Sequence, residues 1–375
     1  MTALRSVPVA SPERSVQALL PRAAAIPTQY LSPDGNLTEQ GRGAPIDDAL
    51  MTTMFRDMYL GRRLDQQALN LQRQGELGLW LMSLGQEASQ VGSIRALRDT
   101  DYVFPSYREH VAGLCRGLTP TQLLSQWRGV VHAGWDWEAT RFHFYSLVLG
   151  SQTLHATGYA IGLKHDGVDD VVLTYVGDGA TSQGDVNEAL NWAAVNDAPI
   201  VFFCQNNNWA ISTPNRAQYR GALHRRATGF GLRSYIVDGN DALAVHDVTQ
   251  AAVSHARNGG GPVFIEADTY RMAGHSTSDD PRRYREDAET EVWKARDPIT
   301  RLELYLRASG VDDDYFSEVR AEGDDLAESV RKACLQLEEP VLTDLFSKVY
   351  AEQHPVMDLQ HAEHLRFLST LEAAQ

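Results

Sequence analysis

Between Asp47 and Leu71 the apolar residues Leu50, Met54, Met58, Leu64, Ala68 and Leu71 recur at helical spacing, which predicts a first long helix. The stretch GQEASQVGSIRAL, within about 85–100, predicts a second. Beyond residue 170 the pattern changes. VVLTYV (171–176) is a short β-rich run that stops at Gly177-Asp178-Gly179. A helix starting near Thr181 follows it, with Val186, Ala189, Leu190 and Ala193 on one face. Pro199 opens a second apolar run, PIVFFCQ, which ends in Asn206-Asn207-Asn208. A third strand, PVFIEADTYR (262–271), comes after a helical stretch over 242–257. Strands alternating with helices at this spacing imply crossover connections. The predicted class is therefore α/β, a mostly parallel sheet flanked by helices, with no internal repeat.

The two ends read differently. Residues 1–45 are rich in Pro, Ala, Ser and Arg and lack a sustained apolar period, which predicts an extended N-terminal arm. No signal-peptide apolar stretch occurs in it. The scarcity of acidic residues before Asp34 gives it a faint transit-peptide character, but an ordinary arm that lies across a partner is the reading taken. VDDD (311–314) introduces a helix carrying Phe316, Val319, Leu326, Val330, Ala333 and Leu337, and Leu365, Phe367, Leu368 and Leu371 mark a last amphipathic stretch. Both are read as packing elements. The domain plan is an arm (1–45), an α/β domain (46–310) and a helical extension (311–375).

Charge and cysteine content narrow the function classes. With 34 Lys and Arg against 49 Asp and Glu, the formal charge is −15, unlike a chain built to coat nucleic acid or an anionic membrane. No apolar run approaches the roughly eighteen residues of a transmembrane helix. Cys115, Cys204 and Cys334 form no CxxC pair and no disulfide framework, so a reducing, cytoplasmic compartment is expected. A mitochondrial matrix would take its place if the source were eukaryotic.

The candidate chemistry sits where strands end. In open parallel sheets, ligands bind beyond the carboxyl ends of the strands. Asp178 follows the first strand directly between two glycines, where backbone can approach a phosphate, and the next helix would aim its N-terminal N–H groups at the same place. Asn207 offers an amide oxygen and Trp209 a backbone carbonyl. One carboxylate, these two oxygens and two diphosphate oxygens suit an octahedral magnesium ion. A lone Gly-Asp-Gly is usually just a turn. Here 27 residues separate it from Asn207, with a strand before it, an amphipathic helix after it and an Asn pair closing the next strand. That combination resembles the thiamine diphosphate fingerprint. Neither a G-x-G-x-x-G nor a G-x-x-x-x-G-K-[ST] motif competes with it.

The resemblance extends further. GDGATSQGD (177–185), NNNWAISTP (from Asn206), VDGNDALAV (237–245) and YRMAGHSTSDDPRRYR (270–285) are similar to the α subunit of branched-chain 2-oxoacid dehydrogenase, from about residue 28 to the C-terminus. The resemblance implies a thiamine diphosphate-binding fold and an oxidoreductase that decarboxylates a branched-chain 2-oxo acid, then acylates a lipoyl group on a partner acyltransferase. It implies a β subunit, as α₂β₂, because the carboxylate that activates the cofactor comes from the partner. Carried over by position, Asp178, Asn207 and the Trp209 carbonyl hold magnesium; Tyr107 and Arg108, with backbone at Gly179 and Ala180, reach the diphosphate. Leu149 packs the aminopyrimidine. His275 reaches the diphosphate and faces the reacting centre, either steadying charge on the substrate or passing a proton to lipoyl. Tyr270, Arg271 and Asp279 order the loop that carries it, Ser106 and Tyr107 line the substrate pocket, and Ser151 and Gln152 line a structural potassium site.

Departures and plainer readings stand beside these roles. Leu147-Val148-Leu149 stands where some members of that family have Ser-Pro-Leu, Ser106 takes a glutamine's place, and Gln205 takes that of an arginine found in some members, so more diphosphate charge falls to Arg108. Ser276 aligns with a serine phosphorylated in eukaryotic members, and no kinase role is carried over. His275 alone could be a solvated loop residue, Arg108 a surface arginine, and His155 structural. His224-Arg225-Arg226 reads as a solvated or cofactor-proximal loop. Trp127, Trp135, Trp137, Phe142, Phe144 and Tyr145 read as core and subunit interface. A pyruvate or acetoin dehydrogenase α subunit is the alternative activity. From another class, a non-catalytic assembly paralogue would be favoured by loss of Asp178, Asn207 or His275, and all three are present.

Overall fold

The three apolar runs lie side by side in a computed structural model of the chain, which describes residues 26–131, 134–341, 343–347 and 349–372. The first 25 residues of the predicted arm fall outside that description. Strands β1 (Tyr102–Phe104), β2 (Val172–Gly177), β3 (Ile200–Asn206), β6 (Arg233–Asp238) and β7 (Val263–Asp268) form a five-stranded sheet in the order β1-β2-β3-β7-β6. Every pairing in it is parallel. The short strands β4 (Trp209–Ala210) and β5 (Thr213–Pro214) make a separate antiparallel hairpin.

Helices cover both faces, which is why β2, β3 and β7 read as unbroken apolar runs. Leu173, Tyr175, Val201, Phe203 and Ile265 face one core cluster, shared with the helices Asp48–Arg73 and Ala242–His255. Their neighbours Val172, Val176, Phe202, Cys204 and Phe264 face the other, shared with the helices Ser151–Asp166, Gly184–Val195 and Leu223–Gly229. The register sets Gly177 beside Gln205 and Asn206 beside Asp268, so β2, β3 and β7 end along one edge. That edge carries the site.

Residues 26–45 lie along the far side of the sheet. Thr28 bridges Val237 of β6, and the Asp241 carboxylate accepts the N–H groups of Tyr30 and Leu31 at 2.6 Å each. Leu31 is buried in a third core cluster. The helix Asp313–Leu335 packs on Asp48–Arg73 through Phe316, whose ring meets Phe55 edge-on at 5.2 Å. The helix Pro355–Glu372 differs from its expected packing role: Leu365, Phe367 and Leu371 are 46%, 58% and 49% exposed. No described helix is long and apolar enough to cross a membrane.

Candidate functional site

Asp178 closes β2 and is 1% exposed. Burial pushes its carboxyl up to about 7, against the pull of the Asn207 N–H and then of the Arg271 charge. Its Oδ2 is buried without a hydrogen-bond partner. The α-helix expected from Thr181 begins instead at Gly184, because a 3₁₀ turn, Gly179–Ser182, intervenes. The Thr181 N–H and hydroxyl are already spent on the Asp178 carbonyl, at 3.2 and 2.7 Å, which makes the turn tight. Gly179 is required here: a Cβ would lie 2.4 Å from the Ala210 Cβ. Ala180 beside it is buried.

The β3 end supplies the opposite wall. Asn207 Nδ2 donates to Gln86 Oε1 at 3.1 Å, which turns Oδ1 toward the Trp209 N–H at 3.3 Å. Trp209 is anchored by its indole N–H on Glu289, 2.7 Å away, and its carbonyl lies 3.4 Å from Arg271 Nη1. Two residues in this segment adopt left-handed backbone, Asn208 at φ 71° and Ile211 at φ 55°. Asn tolerates that region, whereas a β-branched residue there is strained and needs outside support. For Ile211 the support is Arg271 Nη2, donating to its carbonyl at 2.8 Å.

The third wall is the loop after β7. Arg271 is 1% exposed, and burial with the neighbouring Arg108 charge lowers its guanidinium to about 10. Its Nη1 lies 3.5 Å from His275 Nδ1. Burial, then the Arg108 and Arg271 charges, lower the His275 imidazole to about 4, so it is neutral at neutral pH. With Nδ1 facing a donor, the ring proton is assigned to Nε2. Asp279 Oδ2 accepts the His275 N–H at 2.7 Å and the Tyr284 hydroxyl. Tyr270 is fully buried and gives its hydroxyl to Glu289 at 2.7 Å.

Tyr107 and Arg108 lie on the turn after β1. The Tyr107 ring meets His275 edge-on at 6.1 Å. Arg108 donates to the carbonyls of Met82, 2.7 Å away, and His275, 2.8 Å away. A guanidinium has five donors, so others remain for an anion. Ser106 is buried, and its N–H is held by the Glu109 carboxylate at 2.8 Å. Leu149 is half-buried against the second core cluster. Ser151 and Gln152 sit at the start of the helix behind the Asp178 turn. Gln152 is a main-chain clamp, accepting from Gly150 N at 3.1 Å and donating to Tyr175 O at 2.9 Å. The Ser151 and Ser146 hydroxyl oxygens lie 2.9 Å apart and 2.8 and 3.0 Å from the Val148 carbonyl, so one hydroxyl donates to the carbonyl and the other to its neighbour or to the same oxygen.

Sequence reasoning missed several parts of this arrangement. Gln86 aims Asn207, and Glu109 ties the Ser106–Arg108 turn to Gln205 Nε2, 2.7 Å away. Arg285 donates to the carbonyls of Arg271 at 2.6 Å and Met272 at 2.9 Å. Arg285 stood inside a recognised motif, yet nothing local signals that its side chain turns inward.

A family model for the dehydrogenase E1 component matches residues 55–339. This chain belongs to the dehydrogenase E1 component family. The 3-methyl-2-oxobutanoate dehydrogenase subunit alpha of Mycobacterium tuberculosis is 40% identical over 91% of this chain and 93% of its own length. The pyruvate dehydrogenase E1 component subunit alpha of Staphylococcus epidermidis is 36% identical, covering 86% and 88%. The mitochondrial 2-oxoisovalerate dehydrogenase subunit alpha 2 of Arabidopsis thaliana is also 36% identical, covering 86% and 71%.

E1 components of this family depend on thiamine diphosphate. The site fits such a group. A buried carboxylate oxygen lacks a partner. Beside it Gly177 leaves open space, since a Cβ there would meet nothing within 4 Å, and Arg108 and Arg271 supply positive charge. Among the described residues no cluster of three or more His, Cys, Asp or Glu could hold a metal by itself. A lone carboxylate with neutral oxygens suits an ion that shares a diphosphate.

Proposed function

We propose that this chain is the α subunit of a thiamine diphosphate-dependent dehydrogenase that decarboxylates branched-chain 2-oxo acids and acylates the lipoyl group of a partner acyltransferase. The observation that carries the reading is the meeting of Asp178, Asn207, Arg108 and His275 at one sheet edge, in a chain 40% identical to a 3-methyl-2-oxobutanoate dehydrogenase subunit alpha. Thiamine, when bound, supplies a carbanion and an electron sink. Asp178 Oδ2, Asn207 Oδ1 and the Trp209 carbonyl would hold magnesium, a hard cation that prefers oxygen. Ser146, Ser151 and the Val148 carbonyl offer oxygens for potassium, while Gln152 orients the helix behind them. Arg108 meets the diphosphate with the planar, bidentate donors of a guanidinium. His275, neutral and with its proton on Nε2, donates a hydrogen bond toward the substrate side and can move a proton there. Arg271, Asp279 and Tyr270 keep its loop in place. We assign the chain to the cytoplasm, the reducing compartment its three unpaired cysteines suit.

A second reading, a pyruvate dehydrogenase α subunit, draws on the 36% identity to the Staphylococcus epidermidis protein. An apolar pocket distinguishes substrates by about 1–3 kcal/mol per methylene, so the preference will be graded. One experiment tests activity and partner together. The purified chain with thiamine diphosphate and magnesium should show no 2-oxo acid decarboxylation above background. Adding the cognate β subunit, to form α₂β₂, should restore dye reduction, fastest with 3-methyl-2-oxobutanoate. Faster turnover of pyruvate would transfer the assignment, and steady turnover without β would refute the two-subunit site.

A further inference from the structure

The basic run His224-Arg225-Arg226 lies outside the walls formed by the strand ends and the loop after β7, yet two of its side chains turn inward. His224 is 8% exposed, and its main-chain N–H and ring Nδ1 lie 2.9 and 2.7 Å from Glu266 Oε2. Glu266 Oε1 accepts from Asn206 Nδ2 at 2.8 Å, and Asn206 Oδ1 in turn accepts the Tyr219 hydroxyl at 3.3 Å. Arg226 reaches the other way. Its Nη1 donates to the Thr181 carbonyl at 2.7 Å, and its Nη2 lies 3.4 Å from Thr181 Oγ1. That hydroxyl is bonded to the Asp178 carbonyl. One short helix, Leu223–Gly229, thereby grips the turn after β2 directly and the end of β3 through Glu266 of β7.

We infer that His224 and Arg226 are positioning residues that set the distance between Asp178 and Asn207, and so tune how tightly the cofactor diphosphate and its metal are held. The inference rests on the thiamine reading and goes past it, because neither residue is among the proposed magnesium ligands. The β2–β3 ladder stops at Gly177 and Gln205, one residue short of Asp178 and two short of Asn207. Beyond that point the turns are joined by side chains. Magnesium demands near-octahedral oxygens at about 2.1 Å, so small drift between the turns weakens the site. A packing role for the helix is already met by Leu223 and Ala227, both buried in the second core cluster. Arg226 is therefore free to be changed without dislodging the helix.

The test uses the full chain assembled with its β subunit and stripped of cofactor. Thiamine diphosphate is titrated by calorimetry at fixed magnesium, and magnesium at fixed thiamine diphosphate. Arg226→Met should weaken thiamine diphosphate binding about tenfold or more, the scale of one lost charge-assisted hydrogen bond, and raise the magnesium half-saturation. Arg226→Lys, with one ammonium for the Thr181 carbonyl, should recover most of the affinity. His224→Leu should weaken binding in the same direction from the other end. A helix that only packs would lower the melting temperature of the cofactor-free assembly and leave both affinities at wild-type values, and that result overturns the inference. If Arg226→Met does not assemble, Arg226→Gln, too short for the same grip, is judged by the same criterion. Wild-type protein that fails to bind thiamine diphosphate would instead overturn the reading beneath it.

Discussion

The walls of this site are built in two ways. Asp178 and Asn207 sit at the ends of β2 and β3, whose register is fixed by hydrogen bonds along their whole length. The loop after β7, from Thr269 to Asp280, has no regular structure and hangs on side chains reaching in from distant parts of the chain. Arg108 holds its His275 carbonyl, and Thr277 exchanges two bonds with the Trp80 backbone, at 2.9 and 3.0 Å. Arg285 holds three of its carbonyls, those of Arg271, Met272 and Ala273. A sheet edge inherits its geometry from the core, and only the turns just past the ladder, at Asp178 and Asn207, depend on single side-chain contacts. A loop held by a few guanidiniums opens locally at a cost well below global unfolding. The first arrangement suits a permanent anchor for a diphosphate, the second a residue that must meet changing chemical groups.

The largest effect should come at the rigid wall. Asp178→Ala removes the one carboxylate among the proposed magnesium oxygens, so magnesium-dependent thiamine diphosphate binding should vanish in calorimetry. Melting of the cofactor-free chain should stay near wild type, because the lost carboxylate is buried with one oxygen unpartnered. Unchanged cofactor affinity would break the assignment. At the loop wall, His275→Ala in the assembled enzyme should slow lipoyl acylation by about two orders of magnitude, within the range for a lost general acid or base. Thiamine diphosphate affinity should fall far less. Near-normal overall turnover would make the residue a bystander and leave the strand ends as the whole functional site.

The same division decided what could be read from the residues alone. Gly177-Asp178-Gly179 was legible because strand, turn and helix are consecutive, and because strands buried on both faces are apolar throughout. The ends of β2, β3 and β7 fell within a few residues of expectation. Edge strand β6 was not expected: RSYIVD is exposed at its start and buried only at its end, so it lacks an apolar run. At three residues, β1 is too short to carry a period. Loop ties were out of reach for another reason. Arg108 and His275 are 167 positions apart, and Trp80 and Thr277 are 197 apart. No local pattern foretells that a guanidinium will end on a main-chain carbonyl. His275 and Asp279 were legible through family likeness, whereas Arg285, Glu109 and Gln86 emerge only when the chain is folded.

Arg285→Met sharpens the contrast. It keeps a long apolar stem over the Tyr270 ring but removes the donors to the loop carbonyls. Hydrogen bonds to a charged group are worth about 1.5–3 kcal/mol each, enough to raise local opening at least tenfold without unfolding the sheet. Amide exchange should accelerate over 270–285 and stay unchanged over 172–206, with turnover in the assembled enzyme down about tenfold. Equal acceleration in both segments would mean that loop and strand ends form one cooperative unit.

The smallest effect is a pH dependence confined to the loop. The His275 imidazole titrates near 6.5 in an unfolded chain and is lowered to about 4 in the fold, by burial first and then by the Arg108 and Arg271 charges. As pH falls through about 6.5 the unfolded state takes up a proton that the folded state refuses, so stability declines until about pH 4, where the folded state takes it up too. His275→Gln cannot titrate and escapes this loss. Wild type should therefore lose ground to the variant in urea midpoint as pH drops from 7.5 to 4.5, with no change in their difference above pH 7.5. Other buried histidines, His110 among them, are also lowered by burial, but they are common to both proteins and cancel in the difference. The shift should be modest, because the ring keeps some solvent contact and solvent screens part of the guanidinium repulsion. A difference that stays flat with pH would mean that His275 protonates freely inside the folded chain. The loop would then give way around a charged ring, the two guanidiniums would not hold it as tightly as the strand ends hold Asp178, and His275 would enter its chemistry without a fixed proton on Nε2.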